Sequence, residues 1–242
     1  ERHGVAQEQV VLGNGSNDVL DLAARVFLAP GRSAVFSRHA FAVYPLASMS
    51  AGAECIAAPA KNYGHDPASM LAAIRPDTHV VWIANPNNPT GYLYSAEEMN
   101  VLKEICLKHN LFLFSDEAYR EFCYDGHTHI SAMNLEGMDQ HVILLDTISK
   151  RYSACGGRIG AFITKNKAVY DAAMKFAQAR LSPPSFAQIA GEAAVDLPAD
   201  YFDEVKAEYK KRRDVLVSRL NNIPGVLCPN PGGAFYAMAK LP

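Results

Sequence analysis

The chain has 242 residues, 49% of them hydrophobic and 20% charged, with a formal net charge of −2; that is enough apolar material for a sizeable core in one domain or one and a half. A charge so close to neutral argues against a basic nucleic-acid surface, and no apolar run approaches the roughly 18 residues of a membrane span. Five scattered cysteines (Cys55, Cys106, Cys123, Cys155 and Cys228) lack paired metal spacing and read as reduced thiols of a cytoplasmic protein, and the amino end, Glu1-Arg2-His3-Gly4, has no secretory-signal character.

In chain order, Gly13-Asn14-Gly15-Ser16-Asn17 precedes an apolar helix expected near 16–28. Backbone N–H groups at such a helix start favour an anion, and Ser16 as an ordinary N-cap is compatible with that. A strand at 33–37, a helix near 41–51, a strand at 53–58, a helix near 67–74 and a strand at 79–84 follow. Asn85-Pro86-Asn87-Asn88-Pro89-Thr90-Gly91 then forms a rigid turn able to present an asparagine amide to a ligand; it reads equally as a plain strand-to-helix loop. After a helix near 95–109, the strand at 111–115 runs into Asp116, with Tyr119 three residues on. Asp116 is either a ligand-facing carboxylate or a helix cap.

The strand at 142–146 leads into Thr147-Ile148-Ser149-Lys150. A lysine at a strand end, beside hydroxyls and glycines, is placed to form an imine with an aldehyde cofactor. Hydroxyls three residues and one residue before it, and Arg158 eight after it, suit a phosphate. Alone, the lysine could be an exposed loop residue. A strand at 159–163 and helices near 166–179 and 185–196 follow. A long charged helix runs from about Tyr201 to Leu220 and reads as a solvated face. Alternating strands and helices predict a mainly parallel sheet covered on both faces. Asn88, Asp116 and Lys150 all follow strand ends, where such sheets bind ligands.

In this order and spacing, Asn85 to Gly91, Asp116 to Tyr119 and Thr147 to Arg158 resemble the class I and II aminotransferases, the fold-type-I pyridoxal phosphate enzymes. The likeness runs over nearly the whole chain, from Val10 to Tyr236. It implies an α/β fold: a large domain over residues 1–200 with the 159–163 strand antiparallel, then a linking helix and the start of a small domain over 201–242, opening near Gly225. It also implies a pyridoxal phosphate cofactor, with Lys150 carrying it and moving a proton as a neutral amine. Asp116 would keep the pyridine nitrogen protonated, which makes the ring an electron sink. Tyr119 and Asn88 would hydrogen-bond the phenolic oxygen. Phe41 would stack on the ring, with core packing as its other reading, and Tyr44 has a weaker claim. Ser16, Asn17, Thr147, Ser149 and Arg158 would hold the phosphate, Arg158 through a charge-assisted fork.

The implied reaction moves an amino group from an amino donor to a 2-oxo acid in a cytoplasmic homodimer, without nucleic acid or membrane. A lyase or decarboxylase on the same fold shares every cofactor residue, and an inactive fragment is a third reading. Up to Gly91 the wording is similar to histidinol-phosphate aminotransferases; from Tyr92 it is more similar to aspartate aminotransferases. A recombined chain and an ordinary member both fit that seam. Relatives carry further segments before Glu1 and after Pro242, so the chain reads as a fragment and the donor is left open.

Overall fold

A computed structural model describes residues 4–61, 63–198 and 200–242; Glu1, Arg2 and His3, read above for a signal, lie outside the described residues. The first strand is one that the apolar runs do not predict: β1 (Val10–Asn14), which alternates buried Val11 with exposed Leu12. Gly15, at φ +81°, ends it, and α1 (Ser16–Phe27) begins at once. Gly15 is therefore the cap and Ser16 the first helical residue. The Asp18 carboxylate accepts the Asn14 N–H across the turn at 2.7 Å. Val19, Leu20, Ala23, Ala24 and Phe27 make one buried stripe along α1, the spacing of a helix lying on a sheet.

The remaining elements are β2 (Ser33–Ser37), α2 (Val43–Ser50), β3 (Glu54–Ala58), α3 (Pro67–Ala72), β4 (Thr78–Ala84), α4 (Ala96–His109), β5 (Phe112–Asp116), β6 (Val142–Thr147), α5 (Ile148–Arg151), β7 (Ile159–Ile163), α6 (Lys167–Arg180), α7 (Ser185–Ala193) and α8 (Tyr201–Asn221). The expected strands and helices all form; β1, the single turn of α5 and four short 3-10 turns are additions among the described residues. Local chemistry sets several boundaries. Ser95 and Glu98 bond each other's backbone N–H at the start of α4 (3.2 and 2.8 Å), a reciprocal cap. Asn110, at φ +52°, closes the same helix.

The seven strands form one sheet in the order β1-β7-β6-β5-β4-β2-β3. β7 runs antiparallel to both its neighbours, as the resemblance implies, and the other pairs are parallel. Successive side chains of the central strands point to opposite faces. Trp82, Phe114, Ile143 and Leu145 join the cluster built with α1 and α6. Val81, Ile83, Leu113 and Leu144 join Met99 and Leu102 of α4 on the other side. Burial on both faces is why these strands read as continuous apolar runs.

The charged helix α8 departs from the expected solvated face at one position. Arg213 is buried: it donates to the Pro231 carbonyl at 2.9 Å, pairs with Asp125 at 2.8 Å, and lies 4.8 Å from the centre of the Tyr124 ring. Beyond Gly225, where a second domain was expected to open, the chain makes isolated bridges, Cys123 with Gly233 and Leu227 with Lys240. Ala234, Phe235 and Tyr236 pack with Ala118, Tyr119, Phe122 and Tyr124 in a third apolar cluster.

Candidate active site

Parallel pairing brings the ends of β4, β5 and β6 to one edge of the sheet. The Asn85 N–H donates to the Asp116 carbonyl (3.0 Å) and the Glu117 N–H to the Leu145 carbonyl (2.9 Å). The Asp116 side chain is buried, and it accepts the Tyr44 hydroxyl at 3.1 Å and the Ala118 N–H at 3.2 Å. It closes a tight turn at the strand end and begins no helix, which removes the cap reading. Burial pushes its pKa up to about 6, against the lowering effect of the Ala118 N–H and the Tyr44 hydroxyl, and the Asp146 carboxylate adds to the rise. Among the described residues, the groups acting on Asp116 include no cation. A protonated ring nitrogen is the kind of group such a carboxylate fits.

Tyr44 is the residue that sequence reasoning undervalued. Its ring is stacked on Trp82 at 5.0 Å and 8°, and its hydroxyl reaches Asp116 across 72 positions of chain. Glu117 was passed over altogether. It is fully buried, accepts from Ser131 (3.0 Å), the Ala132 N–H (2.9 Å) and Ser115 (3.1 Å), and lies 2.7 Å from His129 Nε2. Burial pushes its pKa up to about 8. The network clasps the 129–132 segment to the end of β5, directly behind Asp116.

Lys150 sits half-buried in the single turn of α5. Its Nζ lies 6.0 Å from the centre of the Tyr119 ring and 5.8 Å from that of Phe235. Its neighbour Arg151 is tied to both Asp146 oxygens at 2.9 Å and to Glu121 at 3.1 Å. Thr147 caps α5, accepting the Ser149 N–H at 3.1 Å, and its hydroxyl donates to the Ile159 carbonyl at 2.8 Å. The Ser149 hydroxyl is 2.9 Å from that of Thr147. Both hydroxyls are buried and are engaged by the fold.

Arg158 and the start of α1, which are distant in sequence, meet. Arg158 has a left-handed backbone (φ +55°) and donates through Nη2 to the Asn14 carbonyl (3.1 Å) and through Nη1 to the Cys155 carbonyl (2.9 Å). A Cβ on Gly15 would stand 2.1 Å from Arg158 Nη2, and one on Gly160 would stand 2.5 Å from the Gly15 carbonyl oxygen. Only glycines permit this approach. The guanidinium and the unpaired first-turn N–H groups of α1, at half-buried Ser16 and exposed Asn17, thus share one corner, a donor set suited to a phosphate. Asn85 and Asn87 brace the turn after β4: Asn85 donates to the Ile130 carbonyl (2.9 Å) and Asn87 to the His39 carbonyl (2.8 Å). Asn88 stands half-buried beside them. Phe41 is half-buried, edge-on to Tyr44 at 5.8 Å, and packs on the core. A cavity of about 800 Å³ lies elsewhere, between β1 and α6, and none of the candidate residues lines it.

Comparison with known proteins settles the family. The family model "Aminotransferase class I and II" matches residues 1–242. The chain belongs to that family. Members of this aminotransferase family use pyridoxal phosphate. The chain is 54% identical over 160 residues to a histidinol-phosphate aminotransferase of Dechloromonas aromatica, covering 66% of this chain and 44% of that protein. A second histidinol-phosphate aminotransferase, from Nitrosospira multiformis, is 48% identical over 163 residues, 66% of this chain and 40% of that one. The chain thus spans less than half the length of these relatives. Matches of this length cannot fit within the residues before Tyr92, so the likeness to histidinol-phosphate aminotransferases continues past that seam. Among solved structures, an aspartate aminotransferase of Rhizobium meliloti superposes at TM-score 0.90 with 27% identity, over 96% of this chain and 60% of that one. An alanine aminotransferase of Pyrococcus furiosus does so at 0.92 with 29% identity, over 98% and 62%. The mostly parallel sheet is that of the fold-type-I aminotransferases.

Proposed function

We propose that the protein is a pyridoxal phosphate-dependent aminotransferase that moves an amino group between an amino donor and a 2-oxo acid. The observation that carries this reading is that Asp116 and Lys150 follow the ends of the neighbouring strands β5 and β6, at the sheet edge where Arg158 meets the start of α1. When bound, pyridoxal phosphate supplies an electron sink for the substrate's α-carbon. Lys150 would hold the cofactor and, once freed, would move the proton at the substrate's α-carbon. Asp116 holds the ring-nitrogen proton. Tyr119 and Asn88 donate to the phenolic oxygen, and Phe41 covers the ring. Arg158, Ser16 and Asn17 would bind the phosphate, and Thr147 and Ser149 are assigned to it through the turn that carries Lys150. Likeness to the histidinol-phosphate aminotransferases supports histidinol phosphate as donor, with an aspartate-like donor as the other candidate. The large domain is assigned to residues 1–200 and the linking helix and small-domain start to 201–242. Among the described residues no helix is long and apolar enough to cross a membrane, and we assign the protein to the cytoplasm as a homodimer.

Borohydride trapping tests the central role. Wild type is expected to retain cofactor covalently after reduction and Lys150→Ala to retain none; an adduct elsewhere in the variant would overturn the assignment. Adding donor alone tests the reaction class. Transfer leaves the cofactor in its aminated form, whereas a lyase or decarboxylase returns it to its starting spectrum.

A further inference from the structure

The carboxyl-terminal stretch brings a second phenol into the candidate site. Tyr236 Oη lies 2.7 Å from Tyr119 Oη, and the two rings meet edge-on at 5.6 Å and 74°. Phe235 packs edge-on to Tyr119 at 5.0 Å and lies flat on Tyr209 of α8, also at 5.0 Å. This placement is built in by the backbone. The Gly233 N–H donates to the Gly91 carbonyl and the Ala234 N–H to the Phe122 carbonyl, both at 2.9 Å, and the Tyr124 hydroxyl donates to the Ala234 carbonyl at 2.7 Å. Ala234 has a left-handed backbone at φ +56°, a conformation an alanine keeps only where its surroundings impose it. A Cβ on Gly233 would come within 2.7 Å of Pro86, so the segment lies hard against the turn after β4. The hydroxyl of Tyr236 is thereby delivered to Tyr119 by contacts to two other parts of the site.

Each phenol carries one proton, so the 2.7 Å contact has two possible directions. We propose that Tyr236 is a positioning residue whose hydroxyl donates to the Tyr119 oxygen, leaving the Tyr119 proton for the phenolic oxygen of the cofactor. A hydroxyl that accepts one hydrogen bond is a stronger donor in the next. Donation in the opposite sense would commit the Tyr119 proton to Tyr236 and remove it from the cofactor. The inference rests on the role proposed above for Tyr119. Among the described residues, the other ionisable groups facing that phenol are Asp116 at the end of β5, Lys150 of α5 and Tyr44 of α2.

The test is the pH dependence of the visible absorbance of the cofactor-loaded protein, a readout independent of turnover. Donation from Tyr119 lowers the proton affinity of the lysine–cofactor linkage, so Tyr119→Phe is expected to raise the titration midpoint. Tyr236→Phe is expected to raise it by a smaller amount, about half a pH unit. The double variant should match Tyr119→Phe alone, and Tyr236→His, which keeps a donor, should move the midpoint back toward wild type. A downward shift in Tyr236→Phe would show the opposite donation, and no shift would show that Tyr236 only packs; either overturns the proposal. If Tyr119→Phe itself leaves the midpoint unmoved, the role of Tyr119 fails and the inference falls with it, an outcome distinct from a failure of Tyr236 alone. Were Tyr236→Phe to misfold, the His variant still reads the same midpoint.

Discussion

At Asp116 the role proposed for the side chain works against the stability of the fold. Its pKa rises from 3.8 to about 6 because it is buried. A carboxyl raised in this way stabilises the folded chain fully below about 3.8 and loses that contribution as pH climbs through 6. Asp116→Asn in cofactor-free protein is therefore expected to match wild type near the acid limit and to exceed it by on the order of 3 kcal/mol above pH 7. Urea unfolding at the two pH values checks this; equal stabilities at high pH would mean that the carboxylate is well solvated or paired. The same substitution should weaken the electron sink, so stability gained and turnover lost would coincide. Tyr44→Phe removes a donor that stabilises the charged form, and the Asp116 titration, followed by NMR, should move upward. The strand-end carboxylate was legible from sequence because it stops an apolar run. Tyr44 was not, since a contact spanning 72 residues leaves no local pattern.

Among the elements, the one-turn helix α5 separates two residues that the sequence places at one phosphate. Thr147 and Arg158 were both assigned to the phosphate, yet the Thr147 hydroxyl caps α5 and donates to Ile159, while Arg158 lies at an exposed corner with α1. Thr147→Ala is expected to lose about 1 kcal/mol of stability as a lost cap, with a modest fall in cofactor affinity. Arg158→Ala should leave stability nearly unchanged and lower affinity roughly ten- to hundred-fold, the worth of one charge-assisted contact. Thermal unfolding and pyridoxal phosphate titration of the two variants separate the effects; a larger affinity loss in Thr147→Ala would put the phosphate elsewhere. β1 escaped the sequence reading for an element-level reason. It contains Gly13 and alternates buried with exposed side chains at the sheet edge, whereas β2, β4, β5 and β6 are buried on both faces and announce themselves as apolar runs.

At the scale of the whole molecule, three segments far apart in sequence are tied by the carboxyl-terminal stretch: the turn at Gly91, the loop from Tyr119 to Tyr124, and α8 through Arg213. Arg213→Ala removes the bond to the Pro231 carbonyl and the pair with Asp125. The expected loss is about 1.5–3 kcal/mol, with faster hydrogen exchange at the Gly233 and Ala234 amides than elsewhere in the sheet. Unchanged exchange at those amides would show that Arg213 does not hold the segment. Charge spacing alone reads α8 as a solvated face that includes Arg213, because its Lys, Arg and Glu positions do not reveal which cation finds an acceptor across the fold. The layered architecture was legible; the way its far end reaches back over Tyr119 was not.

The reversed direction of β7 has a consequence for how the site comes together. Because β6 and β7 are antiparallel, with Thr147 opposite Gly160, the intervening loop leaves and returns at the same edge, and its two ends lie one strand spacing apart, about 4.8 Å. Lys150 and Arg158 are thus set relative to each other by a short closure, whose entropic cost is small. Asp116 and Ser16 must be brought in by pairings across long stretches of chain, the kind that dominate contact order and slow folding. Lys150 and Arg158 thus form a local unit, and Asp116 and the first helix are expected to close around it later.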